Sequence, residues 1–268
     1  MPHAVSRLRT ARLATATKPF VARGSGAGRC ERCRLFGPYC ICALQPAITA
    51  RAGVCLLMGD IEAIKPSNTG WLIADLVPDT HAFAWSRTVI DPALIALLND
   101  PQWQPVVVFP GEFVDPARVV TDLPVAVASD PLQPGGPARR PLFVLLDGTW
   151  SEARKMFNKS RYLDGFPVLS LQPGQASNYR LRRSECADHL CTAEVAALCL
   201  QMAGDGPAAD ALSAWLAVFT EHYLKGKQNR PVDRDSPLHQ RLRQLHATRT
   251  ALNAADETNE ANVTNVTG

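Results

Sequence analysis

Short apolar runs alternate along the chain with stretches in which apolar residues recur at helical spacing. The runs predict strands at 54–58, 82–85, 106–109, 142–146 and 168–171. The helical stretches cover 68–77, 92–98, 195–202 and 211–223. Strands that alternate with helices are typical of an α/β fold, so we predict a parallel-rich sheet with helices on both faces.

The fourth of these runs stops at a carboxylate, Asp147, and a helical pattern restarts soon after it. Thr149, followed three residues later by Glu152, predicts a capping box at the start of that helix. Asp147 is therefore predicted at the carboxyl end of a buried strand, where open α/β sheets bind their ligands. The alternative is that Asp147-Gly148 is only a turn and Trp150 only a core aromatic.

Two other loops that follow predicted strands carry groups suited to a small charged ligand. In the first, Ser67 and Asn68 are predicted N-cap residues, and free amides at a helix start suit a carboxylate or phosphate; ordinary capping is the alternative. The second is the tight turn Phe109-Pro110-Gly111-Glu112. Glu112 or Glu194 is a candidate second acid beside Asp147, for general base catalysis or recognition of an ammonium or sulfonium group.

Half of the eight cysteines predict a metal site. They lie within residues 29–45 at the spacing C-x2-C-x6-C-x-C: Cys30, Cys33, Cys40 and Cys42. Four thiolates brought together by a turn fit tetrahedral Zn²⁺, which predicts a small zinc module. Two disulfides or an iron–sulfur cluster are the alternatives. The other cysteines are predicted to be buried small hydrophobic residues, with Cys191 also a weak candidate nucleophile.

The composition is that of a globular protein: 46% of the 268 residues are hydrophobic and 20% are charged. No apolar run approaches the roughly 20 residues of a membrane span, and the N-terminus lacks the apolar segment of a secretory signal. We therefore expect a cytoplasmic location, no membrane partner and no obligatory protein partner.

The net charge of +3 hides a strongly basic N-terminal segment. Residues 1–34 carry eight Lys and Arg side chains against Glu31 alone, so the segment is +7 and the remainder is −4. This asymmetry predicts contact with RNA phosphates; a solvated tail and an organellar leader are the alternatives. Residues 1–28 lack hydrophobic periodicity and 229–268 are polar, so both are predicted to be largely disordered.

Further basic residues follow Asp147 along the chain. Arg154 and Lys155 lie on the predicted helix, and Arg180 and Arg182 lie in the later stretch YRLRR. Their repetition predicts that they hold a nucleic-acid backbone beside the cleft. For any single pair, a solvated helix face is the commoner case.

Seven stretches of the chain, in order, resemble the DTW-domain family over about residues 28–228. They are CERCRLFGPYCIC, EAIKPSNTGWLIADLVPDT, FAWSRT, FPGE, LFVLLDGTWSEARKMFNKS, YRLR and CTAEVA. The resemblance implies a SPOUT-like catalytic domain at 46–228, which is an α/β fold with its sheet knotted around the cofactor. It also implies structural zinc in the module at 29–45.

The activity that this resemblance implies is transfer of the 3-amino-3-carboxypropyl group of S-adenosylmethionine to N3 of a uridine in the variable loop of tRNA, with release of methylthioadenosine. It implies catalytic roles for Asp147, Thr149 and Trp150, with Asp147 as a base or an anchor. The implied cofactor-binding residues are Ser67, Asn68, Thr69, Gly70, Phe109, Pro110, Gly111, Glu112, Cys191, Thr192, Ala193 and Glu194.

One position departs from the family pattern. Trp71 stands where an arginine usually follows Asn-Thr-Gly, so Lys65 is the predicted substitute cation. Two other functions stay open at this point. SPOUT-like folds also include RNA methyltransferases that use the same cofactor, and a protein with a degenerate pocket would be a non-catalytic, zinc-bearing RNA-binding protein.

Overall fold

The computed structural model describes residues 2–17, 28–123, 138–171 and 190–245. The predicted RNA-binding residues Arg180 and Arg182 lie outside these ranges, as do residues 124–137 between the third and fourth predicted strands.

The centre of the fold is a six-stranded sheet in which all neighbouring strands are parallel. Its strands are β1 (Gly53–Met58), β2 (Thr80–Ala84), β3 (Trp103–Val108), β4 (Val119–Val120), β5 (Arg140–Asp147) and β6 (Val168–Leu169). They lie in the order β2-β1-β5-β3-β6-β4, which places β5 between β1 and β3. The predicted strands and parallel sheet are confirmed, and β4 is the addition, being too short to produce an apolar run.

The helices cover both faces of this sheet. They are α1 (Ala4–Ala14), α2 (Gly70–Leu76), α3 (Pro92–Asn99), α4 (Trp150–Lys159), α5 (Thr192–Met202) and α6 (Gly206–Gln228), and residues 237–245 are also helical. None of the helices in the described part of the chain is long and apolar enough to cross a membrane. The α/β fold class is confirmed. The knot stays a prediction, because residues 124–137 before β5 and 172–189 after β6 lie outside the described ranges.

Two hydrophobic cores lie on opposite faces of the sheet, as the two-residue period of a strand requires. Leu56 of β1 points into a core shared with α1, α2, α5 and α6, whereas its neighbour Leu57 points into a second core shared with α3 and α4. The predicted burial of Cys55 and Cys199 is confirmed, since both are fully buried in these cores. Burial raises the pKa of both thiols, so they are inert packing residues.

The N-terminal helix α1 corrects the prediction of a disordered arm over 1–28 for its own residues, and residues 18–27 lie outside the described ranges. Val5 is fully buried and belongs to the larger core, and Arg12 Nε lies 2.8 Å from Oδ1 of Asp60. His3 caps the helix by accepting a hydrogen bond from the Ser6 amide. Because the helix docks with few apolar residues, its sequence shows little periodicity, and tertiary contacts alone hold it.

The helical segment 237–245 corrects the prediction of a largely disordered tail for the described part of 229–268, and residues 246–268 lie outside the described ranges. His239 on this segment and His222 on α6 are both fully buried, with their Nε2 atoms 2.8 Å apart. Nδ1 of His222 lies 2.8 Å from the carbonyl oxygen of Tyr39. The histidine pair therefore joins α6, the C-terminal segment and the cysteine-rich segment.

This buried pair is expected to make the protein less stable in mild acid. Burial lowers the pKa of His222 to about 4, with the charges of His239 and Arg234 acting in the same direction against the Tyr39 carbonyl. The unfolded chain takes up the proton near pH 6.5, so the free energy of unfolding falls between about pH 6.5 and 4. Urea unfolding should show a loss of about 2 kcal/mol at pH 5 relative to pH 7.5 from this group.

The variant His222→Phe tests the assignment, because it keeps an aromatic ring and removes the titrating group. Its stability should change less between the two pH values than that of the wild type. The variant retains the groups that face His239. The Ser236 hydroxyl lies 2.9 Å and the Glu221 carboxylate 3.9 Å from His239 Nδ1. An identical pH dependence in the two proteins would contradict the role of His222.

Candidate functional site

Three loops meet at the carboxyl edge of the sheet because β1, β5 and β3 are adjacent parallel strands. The register pairs Met58 with Asp147 on one side of β5, and Val108 with Leu145 on the other. The loops that follow these strands are the ones predicted from the sequence to form one cleft, and the fold brings them together. Ser170, directly after β6, also reaches this edge and accepts a hydrogen bond from the Gly111 amide at 3.0 Å.

Asp147 is the most constrained side chain at this edge. It is 1% exposed, and each of its carboxylate oxygens accepts a hydrogen bond. Asn68 Nδ2 donates to Oδ2 at 2.6 Å, and the Thr192 hydroxyl donates to Oδ1 at 2.5 Å. The carbonyl oxygen of Asp147 accepts a further bond from the Gly59 amide at 2.9 Å. The residue therefore links the loop after β1, the end of β5 and the start of α5.

Glu62 is an acid near Asp147 that the sequence did not indicate, and Glu112 and Glu194 stay predictions as the second acid. Glu62 is buried, and its Oε2 lies 3.5 Å from Asn68 Nδ2, the same amide that binds Asp147. Lys65 pairs with the other oxygen of Glu62 at 2.5 Å. Lys65 is thus engaged with a buried carboxylate of its own loop.

The loop Asn68-Thr69-Gly70 is held close to Asp147. Asn68 Oδ1 accepts the Trp71 amide at 3.0 Å, which fixes the Asn68 side chain with its amide nitrogen toward Asp147. Gly70 leaves no room for a side chain, since a Cβ there would lie 2.8 Å from Asp147 Oδ2. Trp71 is 2% exposed and packs in the larger core, so it faces away from any ligand of this loop.

The start of α5 reaches the site through Thr192, whose hydroxyl binds Asp147. Its neighbours have packing and capping roles: Ala193 is fully buried, and Glu194 accepts the Cys191 amide at 2.8 Å as part of a capping box. Cys191 is 2% exposed, and burial together with the Glu194 charge raises the pKa of its thiol to about 12. A thiol in this state is a poor nucleophile, which removes Cys191 as a nucleophile candidate.

Thr149 forms the predicted capping box at the start of α4. Its hydroxyl donates to Glu152 Oε2 at 2.6 Å and accepts the Glu152 amide at 3.3 Å, while the Thr149 amide donates to the same carboxylate at 2.8 Å. Gly148 permits this tight turn, since a Cβ there would lie 3.0 Å from the Glu152 Cβ. Thr149 therefore sets the course of the chain between Asp147 and α4.

Aromatic side chains form a ledge beside the site, made of Phe109, Phe113 and Trp150. Trp150 stacks on Phe109 at 5.5 Å between ring centroids and lies 5.4 Å from Phe113. Trp150 is 36% exposed and Phe113 37%, so the alternative that Trp150 is only a core aromatic is wrong. Behind the ledge, Phe109 stacks on Phe157 at 4.4 Å, which anchors it to the core.

Both predicted basic residues of α4 lie against aromatic rings, of which Phe113 is exposed and Trp85 half-buried. The Arg154 guanidinium sits 4.5 Å from the centroid of Phe113, and Lys155 Nζ 5.9 Å from that of Trp85. The FPGE turn leads into the ledge. Pro110 begins the turn, the Gly111 amide donates to Ser170, and the Glu112 side chain is exposed. The ledge thus combines aromatic surface with positive charge.

The cysteine cluster has the geometry of a metal site. The four sulfur atoms of Cys30, Cys33, Cys40 and Cys42 lie within 4.8 Å of one another and could hold a metal ion. The Cys30 sulfur lies 3.6 Å from that of Cys42 and 3.7 Å from that of Cys40, and the sulfurs of Cys33 and Cys40 are 3.7 Å apart. A tetrahedron with Zn–S distances of about 2.3 Å has edges of roughly 3.8 Å. All four are free thiols, so the alternative of two disulfides is wrong.

The ionisation of these thiols differs from one cysteine to the next. Burial and the neighbouring sulfurs raise the pKa of Cys33 to about 11, although backbone hydrogen bonds oppose this. Burial also acts on Cys30, but hydrogen bonds from the backbone of Cys33 and Arg32 outweigh it and lower the pKa to about 7. Four adjacent thiolates repel one another unless a cation neutralises them, and a soft sulfur donor set favours zinc.

Sequence reasoning missed Glu62, Phe113 and the hydroxyl of Thr192 as the second donor to Asp147. Glu62 gave no signal because a single Glu before a Lys-Pro pair is typical of a solvated loop. Phe113 lies five residues beyond the end of β3, in a turn without periodicity. Thr192 was predicted as a pocket residue, but only the fold shows that it bonds to a residue 45 positions away.

The family model of the DTW domain matches residues 27–224. This range begins just before the cysteine cluster and ends within α6, so it includes the whole sheet and each of the loops around Asp147. No solved structure shows significant similarity to the chain. The match covers well over half of the sequence and agrees with the resemblance carried by its ordered motifs. The chain belongs to the DTW-domain family.

Proposed function

We propose that the protein transfers the 3-amino-3-carboxypropyl group of S-adenosylmethionine to N3 of a uridine in the variable loop of tRNA. The DTW domain is associated with tRNA-modifying enzymes. One observation carries the proposal. The DGTW turn, the Asn68-Thr69-Gly70 loop and Thr192 come together around Asp147, and all three belong to motifs that carry the family resemblance. An intact, closely packed cluster of this kind argues against a degenerate pocket.

The proposed reaction forms the bond between uridine N3 and the γ-carbon of the methionine moiety, and it breaks the bond from that carbon to the sulfonium sulfur and the N3–H bond. The electron pair of the carbon–sulfur bond leaves with methylthioadenosine as a neutral thioether, and the N3 proton passes to water. The γ-carbon must face N3, and the methyl group must not, so the amino acid end of the donor has to be held firmly. We assign this task to the loop 67–70, with the FPGE turn and the start of α5 closing the pocket.

We infer that Asp147 acts mainly as an anchor in this reaction. A general base must reach the proton that it removes, whereas the Asp147 side chain is 1% exposed and both of its oxygens are held by Asn68 and Thr192. Charge-assisted hydrogen bonds of this kind are short and strong, and they hold their partners in place. Asp147 then keeps two of the donor-binding segments at a fixed distance from β5.

The aromatic ledge is the proposed contact for the RNA. Nucleobases that are unpaired stack on exposed aromatic side chains, and positively charged side chains beside them bind the phosphates. Trp150 and Phe113 offer such a surface, with Arg154 and Lys155 alongside. Trp150 lies three residues from Asp147, so a base stacked there would be close to the proposed site of transfer.

Removing the ledge is expected to weaken tRNA binding without weakening donor binding. Stacking on an aromatic residue contributes about 1–3 kcal/mol per base, so the double variant Trp150→Ala, Phe113→Ala should bind tRNA roughly tenfold to a hundredfold more weakly. Filter binding at fixed salt measures this, and calorimetry with S-adenosylmethionine checks the pocket. The matched control is Leu198→Ala, which removes an equally exposed apolar side chain on α5. If the double variant and the wild type bind tRNA equally well, the ledge is not the contact for the RNA.

The function itself is tested with purified protein, labelled S-adenosylmethionine and unmodified tRNA. We expect nucleoside mass spectrometry to show uridine carrying an aminocarboxypropyl group, with one methylthioadenosine formed per modified nucleoside. A methylated nucleoside with S-adenosylhomocysteine would identify an RNA methyltransferase instead. Binding of tRNA with no affinity for S-adenosylmethionine would identify a non-catalytic RNA-binding protein.

A further inference from the structure

Arg34 connects the cysteine cluster with the loop that holds Asn68. It follows Cys33 directly, and its φ of 62° lies in the left-handed region that few non-glycine residues adopt. A side chain in such a backbone conformation persists only where the surrounding structure imposes it. Arg34 is nevertheless buried, at 4% exposure, and its guanidinium reaches the loop that leads to Asn68.

The Arg34 guanidinium holds the main chain of this loop at several points. Its Nη1 lies 3.3 Å from the carbonyl oxygen of Lys65 and 3.1 Å from those of Pro66 and Asn68. Hydrogen bonds from a charged donor are roughly twice as strong as neutral ones. Arg34 therefore fixes the backbone that leads into Asn68, and Asn68 in turn donates to Asp147 at 2.6 Å.

The turn that carries Arg34 is itself built around the cluster. The Arg34 amide donates to the Cys30 carbonyl oxygen, and the Cys30 amide donates to that of Leu35, each at 2.8 Å. A second link runs in the same direction: the Trp71 indole donates to the carbonyl oxygen of Arg32 at 2.9 Å, and its ring lies 4.4 Å from the Arg34 guanidinium. Both ends of the loop 65–71 are thus hydrogen-bonded to the turn that runs from Cys30 to Arg34.

We propose that Arg34 is a positioning residue through which a metal ion in the cysteine cluster orders residues 65–71. A metal bound by the four cysteines closes the segment from Cys30 to Cys42 and defines where Arg34 emerges. Without the metal, the turn from Cys30 to Arg34 is free to move. The carbonyl oxygens of residues 65, 66 and 68 then lose their hydrogen bonds from the Arg34 guanidinium. Metal occupancy is in this way coupled to the geometry around Asp147, although the cluster is not part of the cleft.

The test compares Arg34→Met with Arg32→Met in zinc-loaded protein. Arg34→Met removes the donor to the loop, whereas Arg32 is exposed and its main-chain contact with Trp71 survives substitution. We expect amide hydrogen exchange over 65–72 to accelerate at least tenfold in Arg34→Met at unchanged zinc content. Arg32→Met should exchange like the wild type, and removal of the metal from the wild type by a chelator should accelerate exchange in the same segment.

The proposal is overturned if residues 65–72 stay equally protected in Arg34→Met at full zinc content, or in the wild type after the metal is removed. Arg34→Lys guards against a variant that does not fold. It keeps the charge, but its side chain is one atom shorter than the path to Arg34 Nη1, so its contacts with the three carbonyl oxygens are weaker and its exchange should lie between the other two. Protection in Arg34→Lys equal to that of the wild type, with Arg34→Met unfolded, would also overturn the proposal.

A second readout rests on the proposed function, namely affinity for S-adenosylmethionine. Calorimetry should show roughly tenfold weaker binding by Arg34→Met, from loss of hydrogen bonds to a charged donor. If the wild type does not bind this donor while loop exchange still responds as expected, the proposed function is wrong and the positioning role stands. If the wild type binds it and Arg34→Met binds it equally with an equally protected loop, the positioning role is wrong.

Discussion

Replacing Asp147 by alanine is expected to slow aminocarboxypropyl transfer by about a thousandfold. The substitution leaves the Asn68 amide and the Thr192 hydroxyl without their acceptor in a site where Asp147 is 1% exposed. Each buried donor left unpaired costs about 1–3 kcal/mol, and together they account for roughly 4 kcal/mol. Single-turnover assays with saturating tRNA measure the rate, and calorimetry should show weaker binding of S-adenosylmethionine because the loop and α5 separate.

The variant Asp147→Asn distinguishes an anchor from a base. Asn68 must keep its amide nitrogen toward position 147, because its oxygen accepts the Trp71 amide at 3.0 Å. An asparagine at 147 can offer its oxygen to Asn68 and its nitrogen to the Thr192 hydroxyl, which also accepts. The network survives without the negative charge, so we expect transfer within about tenfold of the wild type. Transfer as slow as in Asp147→Ala, with donor binding intact, would show that Asp147 is the base.

The matched control for the two Asp147 variants is Thr192→Val. It removes only one of the two hydrogen-bond donors to Asp147 and keeps the shape of the side chain. Its transfer rate should fall by about tenfold, between the wild type and Asp147→Ala, because Asp147 keeps its bond to Asn68. Near-normal transfer by Asp147→Ala, in a protein that still binds tRNA, would instead remove Asp147 from the catalytic machinery altogether.

The sheet could be predicted from the sequence because its central strands β1 and β5 are buried on both faces. Short continuous apolar runs, such as the one ending at Asp147, indicate buried strands when helical patterns separate them. Asp147 directly follows its run, which places it at the edge of the sheet, and the capping box from Thr149 to Glu152 is local in sequence. Each of these features depends on contacts between residues that are near in sequence or repeated in pattern.

The features that could not be predicted depend on contacts between distant residues. Arg34 resembles one more cation of a basic arm, yet the fold buries it against carbonyl groups more than 30 residues away. His222 and His239 lie on separate helical segments, and nothing in their spacing indicates that their rings meet. Helix α1 was predicted to be disordered because a short, polar helix is stable only through its packing, which periodicity does not reveal.

Replacing Cys33 by alanine is expected to abolish metal binding and to lower the free energy of unfolding by roughly 5 kcal/mol or more. A structural zinc site contributes its binding energy to folding, and the total stability of a domain is about 5–15 kcal/mol. The effect should reach beyond the cluster, because Cys33, Leu35 and Ile41 are buried in the same core as Trp215. Zinc content by mass spectrometry and urea unfolding measure the two effects.

The matched control is Cys199→Ala, which makes the same change at a fully buried thiol of α5 that is distant in sequence from the cluster. It should keep its zinc and lose only about 1 kcal/mol, the typical cost of a point substitution. A chelator should destabilise the wild type and Cys199→Ala but leave Cys33→Ala unchanged, since that variant has no metal to lose. Equal stability of the two variants, with or without the chelator, would show that the cluster holds no structural metal, and visible absorption from bound iron would show that the metal is not zinc.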